Sequence, residues 1–243
     1  MDKSSSRRVV ITGVGVVSPL GNCANALIES LRSSTSGVGP LTQVPQDVLS
    51  INYGAEATEF TGNIKDYGPL EKSLQRTIRK GSKVMCREIE MGVAAAQLAL
   101  HNAELTAESR DAQRTGVAYG CDYIMSLPDE FVSGITKCLD DEGKFHFEQW
   151  GQQGKPEVNP LWLLKYLPNM PASHIAIYND MRGPNNSITL REPAANLAVA
   201  EAYTTIARGS ADAIIAGATG TRVHPLRTIH AVSYTHLTLP TTL

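Results

Sequence analysis

The stretch SITLREPAANLAVAEA, positions 187–202, reads as a short strand running straight into a helix, with Arg191, Glu192 and Pro193 at the corner. A tight strand-to-helix turn exposes one side chain and aims the first backbone amides of the helix at whatever reacts there, so enzymes place nucleophiles at such corners. Here the corner holds a carboxylate and a proline. Glu192 therefore has two readings: a site residue, or a helix-start residue that complements the dipole and precedes a proline whose missing N–H costs nothing. Arg191 is a candidate ion-pair partner, although neighbours at a strand end normally point to opposite faces.

The other places where chemistry could sit are weaker. The run GVGVVSPLG, positions 13–21, lacks the third glycine of a dinucleotide fingerprint; Ser18 stands there, and Pro19 prevents a helix from starting smoothly where a pyrophosphate would rest. A tight structural loop is the better reading. Cys23, Cys86, Cys121 and Cys138 are scattered, with no C-x-x-C pair and no histidine at metal-ligand spacing, which predicts reduced thiols that mostly fill the interior. The 243 residues carry a formal net charge of −2, with 42% apolar and 19% charged side chains. That balance points away from nucleic acid and membrane surfaces. No apolar run approaches the roughly 20 residues of a membrane span, so the expected location is cytoplasmic.

The elements that must position the corner follow from periodicity. Residues 8–12, RVVIT, predict a buried strand ending at Gly13, and 22–31 predict a helix with Asn22 as its cap. Positions 33–72 are rich in Gly, Ser, Thr and Pro and read as a long excursion. The strongest helix is 85–105, whose GVAAAQLAL segment allows close packing on a sheet. A buried strand over 116–121 and a helix over 126–139 follow, then a polar, loop-like stretch over 140–160. A short helix over 171–178, the corner strand and its helix over 193–208, and an apolar strand over 212–218 complete the pattern. Strands alternating with helices predict an α/β fold with a largely buried sheet.

From Val232 onward, VSYTHLTLPTTL has no periodicity and looks like translated adapter sequence. It is set aside as a non-native tail over 232–243, which places the end of the genuine reading frame near Ala231.

Three blocks then carry a resemblance: RRVVITGVGVVSPLGN from Arg7, LPNMPASHIAIYNDMRGPNNSI from Leu167, and YTTIARGSADAIIAGATGTRVHPL from Tyr203. In this order and spacing they resemble the β-ketoacyl synthases, the condensing enzymes of fatty-acid and polyketide synthesis. The resemblance spans residues 7–231 and implies the thiolase-like fold, two similar α/β halves in layers, of which this chain supplies the N-terminal half with the second half missing. In active relatives the corner carries a T-A-C-S/T-S-G motif whose cysteine accepts an acyl chain from a carrier-protein thioester. A gap-free alignment from Gly183-Pro184 puts Glu192 where that cysteine belongs, on what should be a buried pocket floor. Pro193, Ala194 and Ala195 then replace the Ser/Thr, Ser and Gly that follow.

A carboxylate there is stabilised as an anion by the helix end, but its acyl adduct would be a labile mixed anhydride. Cys121 has no helix start directly after it and is a poor replacement. The two histidines of the family's second half have no counterpart; His224 and His230 read as ordinary surface or packing residues. The resemblance thus implies a relative without condensing activity that acts as a chain-length-factor-like partner or a malonyl-thioester decarboxylase, or else a non-catalytic binding or structural subunit. It implies an acyl carrier protein with its phosphopantetheine thioester as partner, a homodimer or a heterodimer with a related synthase, and no cofactor or metal.

Overall fold

The computed structural model describes residues 7–44 and 52–227. The non-native tail expected over 232–243, and His230, lie outside the described residues.

Helices α1 (Ala24–Arg32), α2 (Lys72–Gly81), α3 (Arg87–Asn102), α4 (Val132–Thr136), α5 (Met170–Tyr178) and α6 (Ala194–Ala207) are joined to strands β1 (Val38–Pro40), β2 (Tyr53–Ala55), β3 (Thr115–Cys121), β4 (Asn185–Thr189) and β5 (Ala213–Thr219). Strands β1 and β2 pair antiparallel as a small ribbon within the excursion. The other three form a parallel sheet in the order β4-β3-β5. Every residue of β3 is buried, as a strand with helices on both sides must be.

The two faces of β3 can be told apart by its alternation. Tyr119 points to one side and donates its hydroxyl to the Gly92 carbonyl of α3 at 3.0 Å. Gly120 points to the other, where it lies directly beneath Ala194, the first residue of α6. Helices α3 and α5 share the first face with the main core, built from Ile89, Val93, Ala96, Val117, Ile175 and their neighbours. The Ala-rich face of α6 closes the second, with Ala194, Ala198 and Ala202 buried against the sheet. Small side chains are needed here because the backbones approach closely.

Several expectations from sequence are corrected. Residues 8–12 are not a strand: Val10 is 62% exposed and Ile11 84%, and the stretch belongs to no ladder among the described residues. β-Branched residues make a strand only where a neighbouring backbone offers its hydrogen bonds. This segment is held instead by Arg7 on Asp212 and by Val14 N–H donating to Asn102 Oδ1 at 2.9 Å. The cap of α1 is Cys23, whose Sγ accepts from Ala26 N–H, while Asn22 Oδ1 is buried without a partner. The helix expected over 126–139 shrinks to a 3-10 turn at Pro128–Glu130 and the five-residue α4. Helix α2 was not foreseen, although Leu74 and Ile78 stand four residues apart and turn one face of an otherwise polar helix to the core.

Helix α3 also carries a half-buried carboxylate. Burial pushes Glu90 of α3 up from 4.5 to about 7, against a smaller opposite pull from Arg87. An acid raised in this way makes folding favourable at low pH, and the advantage is lost as pH climbs from the unfolded value through the folded one. Stability is therefore expected to fall between about pH 4.5 and 7 by on the order of 2 kcal/mol, allowing for partial exposure, and to stay level above. Glu90→Gln should remove that slope in denaturant melts taken across the pH range.

Candidate functional site

The register brings the three strand ends level: Cys121 stands opposite Thr189 of β4 on one side and Thr219 of β5 on the other. Ligand sites of parallel α/β sheets form in the crevice beyond the carboxyl ends of the strands. Here the residues at and just past each end line one cavity of about 280 Å³: Cys121 and Asp122 at the end of β3, Arg191 and Glu192 after β4, and Thr219 to Arg222 at the end of β5. The 14-residue α6 begins at its wall with Ala194. Gly220, Thr221 and Arg222 also border a larger, mainly apolar cavity of about 820 Å³ that includes Val16, Val17, Leu41, Met91 and Ala95.

The corner is a backbone device. Arg191 adopts φ 54°, the left-handed region that non-glycine residues enter only at a cost of about 1 kcal/mol or more. This turns the chain sharply between β4 and Pro193, the cap of α6. The Arg191 guanidinium lies over the Tyr123 ring, 5.3 Å from its centroid, and reaches Asp122 at 3.9 Å. Arg227 covers Tyr123 as well, at 4.6 Å, and pairs with Asp122 at 3.2 Å. Asp122 and Tyr123 thus tie the corner to the segment that follows β5.

Glu192 occupies the corner but is not a buried floor. Its side chain is 70% exposed and its partner is Arg222, not the adjacent Arg191. Both residues lie beyond β4, so strand alternation does not apply: the left-handed turn at Arg191 sends Arg191 toward Asp122 and Glu192 toward the far strand end.

Cys121 lies in the same cavity wall but is 1% exposed. Burial, reinforced by Glu88 and Asp122, pushes its thiol up to about 12, so at neutral pH it holds its proton and is a poor nucleophile. The expectation of interior thiols fits Cys121 and Cys138, whereas Cys86 is half-buried and Cys23 exposed; all four are free. His224 is a packing residue and not a surface one, 4% exposed, with burial holding its imidazole below the usual range. No group of metal-binding side chains occurs among the described residues, and no helix there is long and apolar enough to cross a membrane.

Sequence reasoning found Glu192, Arg191 and Cys121. It missed Asp122, Tyr123, Arg222 and Arg227, which carry no local motif. Only Arg222 lies in one of the three blocks, in TGTRVHPL just after β5.

Comparison with solved structures defines the class. The fold matches the ishigamide ketosynthase/chain length factor with a TM-score of 0.70 at 19% identity, over 98% of this chain and 53% of that one. It also matches a type II PKS acyl-carrier protein in complex with its ketosynthase bound to the hexaketide, with a TM-score of 0.60 at 17% identity, over 93% and 54%. The architecture is therefore thiolase-like, of the ketosynthase kind. The family model for the β-ketoacyl synthase N-terminal domain matches residues 6–239, and the chain belongs to that family. Among curated relatives, 3-oxoacyl-[acyl-carrier-protein] synthase 2 of Synechocystis sp. is 27% identical over 93% of this chain and 48% of that protein. The 3-oxoacyl-[acyl-carrier-protein] synthase homolog of Saccharomyces cerevisiae is 28% identical over 91% and 50%. The chain spans about half the length of the curated relatives it matches.

Proposed function

We propose that this chain is the N-terminal half, residues 7–231, of a cytoplasmic β-ketoacyl synthase relative that works without an acyl-accepting cysteine, as a malonyl-thioester decarboxylase paired with a condensing subunit. The observation that carries this reading is the corner itself. Glu192, eight residues after Pro184, takes the place before α6 where the family's nucleophile belongs, and the one thiol in the cavity wall, Cys121, is buried and protonated. Covalent acyl transfer has no competent group there. Decarboxylation needs none: the bond from the acyl α-carbon to the carboxylate breaks, carbon dioxide leaves, and the electron pair passes to the thioester enolate, which then takes a proton. A negative charge beside the departing carboxylate raises the energy of the bound thioester and favours that departure.

Charge supports a carrier-protein partner. On and just after α2, Lys72, Arg76, Arg79, Lys80 and Lys83 are all exposed, with no acidic residue between Glu71 and Arg87. Such a basic face suits an acidic docking partner.

The test is carbon dioxide release from malonyl carrier protein by the full-length gene product, obtained by sequencing past the codon for Ala231. Release is expected, falling about 100-fold or more in Glu192→Ala, the size of losing a charge placed for the transition state. No release, alone or beside a condensing subunit, leaves the reading of a non-catalytic binding or structural subunit.

The 243-residue chain alone should associate. Leu197, Val199 and Tyr203 of α6 are 41%, 53% and 57% exposed, on the side away from the sheet where a second half would pack. Aggregation on size exclusion is expected; a monomer with a cooperative melt would contradict the half-fold.

A further inference from the structure

We propose that the turn carrying His146 is a pH-operated clasp: the imidazolium ties Asp140 to Glu148, and on losing its proton it releases Glu148 and loosens the aromatic segment that follows. The clasp is independent of the chemistry at the corner.

The turn lies in the polar stretch between α4 and α5. Leu139 and Phe145 form an antiparallel bridge, Gly143 closes the loop at φ 79°, and Asp140 N–H donates to the Lys144 carbonyl at 3.1 Å. Asp140 Oδ1 accepts from Lys144 N–H at 2.8 Å and from Glu142 N–H at 3.1 Å. Its other oxygen, Oδ2, stands 2.7 Å from His146 Nε2, while Glu148 Oε1 stands 2.9 Å from Nδ1 on the far side of the ring. Ionised carboxylates only accept, so both contacts are hydrogen bonds at once only when both ring nitrogens carry protons. A neutral imidazole has one N–H for two carboxylates. The bonds to Asp140 and Glu148 accordingly hold the imidazole above its ordinary range.

The two carboxylates are not equally held. Asp140 is fixed by two backbone N–H groups as well as by the ring, whereas Glu148 is 72% exposed and has, among the described residues, its own backbone N–H and the ring. The proton that remains on a neutral ring therefore stays on Nε2 toward Asp140. Nδ1 then turns a lone pair on the Glu148 carboxylate, which repels it. The other charged side chains of the turn and of the short helices around it, Lys137, Asp141, Glu142, Lys144, Lys155 and Glu157, are exposed, and none of them pairs with the imidazole. For a raised imidazole the sign is fixed: the clasp is complete below the ordinary histidine range and is lost as pH rises through the raised one.

Release acts on the aromatic rings beside His146. Phe145 and Phe147 have centroids 6.4 Å apart, and Phe145 lies 6.4 Å from Trp150. Trp150 is the fixed end, since its ring lies against Gly134 of α4, where an added Cβ would be 3.0 Å away. Phe147 is 74% exposed and opens the 3-10 turn Phe147–Gln149, which contains Glu148. One proton thus decides whether this surface presents a fixed aromatic pair or a mobile one.

The experiment is a pH titration of the full-length gene product by NMR with isotope-labelled histidine, together with amide hydrogen exchange over residues 145–150 corrected for the intrinsic pH dependence. His146, assigned by its loss in His146→Gln, should titrate above about 6.5, with both ring nitrogens protonated in the charged form and Nε2 protonated in the neutral one. Across that titration, exchange over 145–150 should quicken about two- to fivefold, as loss of an exposed ion pair allows. Glu148→Gln should abolish the step, because a side-chain amide accepts from Nδ1–H or donates to bare Nδ1 and so holds the turn in both states. Glu148→Ala should exchange at the faster rate on both sides of the titration. A His146 titration at or below about 6.5, exchange that follows the intrinsic rate alone, or a step that survives Glu148→Gln each overturn the proposal.

Discussion

Gly120→Ala is expected to dislodge the corner. A Cβ at this position would lie 2.6 Å from the Ala194 carbonyl oxygen and 2.7 Å from its carbonyl carbon. Both atoms are backbone at the first turn of α6, so no side chain can swing aside. The helix start must back away from β3, and Arg191 and Glu192 must move with it. Overpacking of this kind costs about 3 kcal/mol, which corresponds to a fall in Tm of about 6–12 °C for a domain of this size. Gly151→Ala is the matched control, because nothing lies within 4 Å of the added atom. Thermal melts of the two variants check the stability. Loss of any activity at the corner in Gly120→Ala, with none in Gly151→Ala, checks that the close approach of β3 and α6 positions the site. A melt for Gly120→Ala equal to the parent's would mean that α6 is not seated as described.

The second large effect is expected from Glu192→Cys. In the parent, acyl thioesters should leave no stable adduct, since Glu192 gives at best a labile anhydride and Cys121 is buried with its thiol pushed up to about 12. A thiol at position 192 stands in a different setting: exposed, just before a 14-residue helix, and beside Arg222. The helix end and the guanidinium both favour a thiolate, and a fall from about 8.5 to about 7 makes roughly half of it reactive at neutral pH. Attack on an acyl thioester then transfers the acyl group to the protein and releases the carrier thiol. Intact-mass measurement of the full-length gene product after incubation with an acyl thioester should show one acyl group in Glu192→Cys and none in the parent. An unlabelled variant would mean that the corner does not meet the thioester, and the assignment of Glu192 to the nucleophile's place would fall with it.

The same corner explains how local and distant information divide. The α/β alternation was legible because helices and strands declare themselves over short windows: the apolar stripe and small residues of α3, the wholly buried run of β3, the stop at Gly209 after α6. The strand-turn-helix corner was legible for the same reason, and so were the three blocks that mark the family. Where local signal misled, the missing term was a neighbour. Residues 8–12 have the composition of a strand, but a strand is a relation between two backbones, and Ile11 stands 84% exposed with no ladder among the described residues. Helix α2 has a narrow signal, Leu74 and Ile78 four residues apart among polar neighbours, and that stripe against the core was enough to hold a polar helix.

What sequence alone determined about this protein is its family, its layered architecture and a strand-to-helix corner that carries Glu192. What only the tertiary structure decided is the company that carboxylate keeps. The parallel register sets Cys121, Thr189 and Thr219 side by side, so residues far apart in the chain meet just beyond them. The left-handed backbone at Arg191 then turns that side chain to Asp122 and Tyr123 and leaves Glu192 to Arg222. Partner choice depends on strand register and on one backbone angle, and neither is written in the local pattern of residue types.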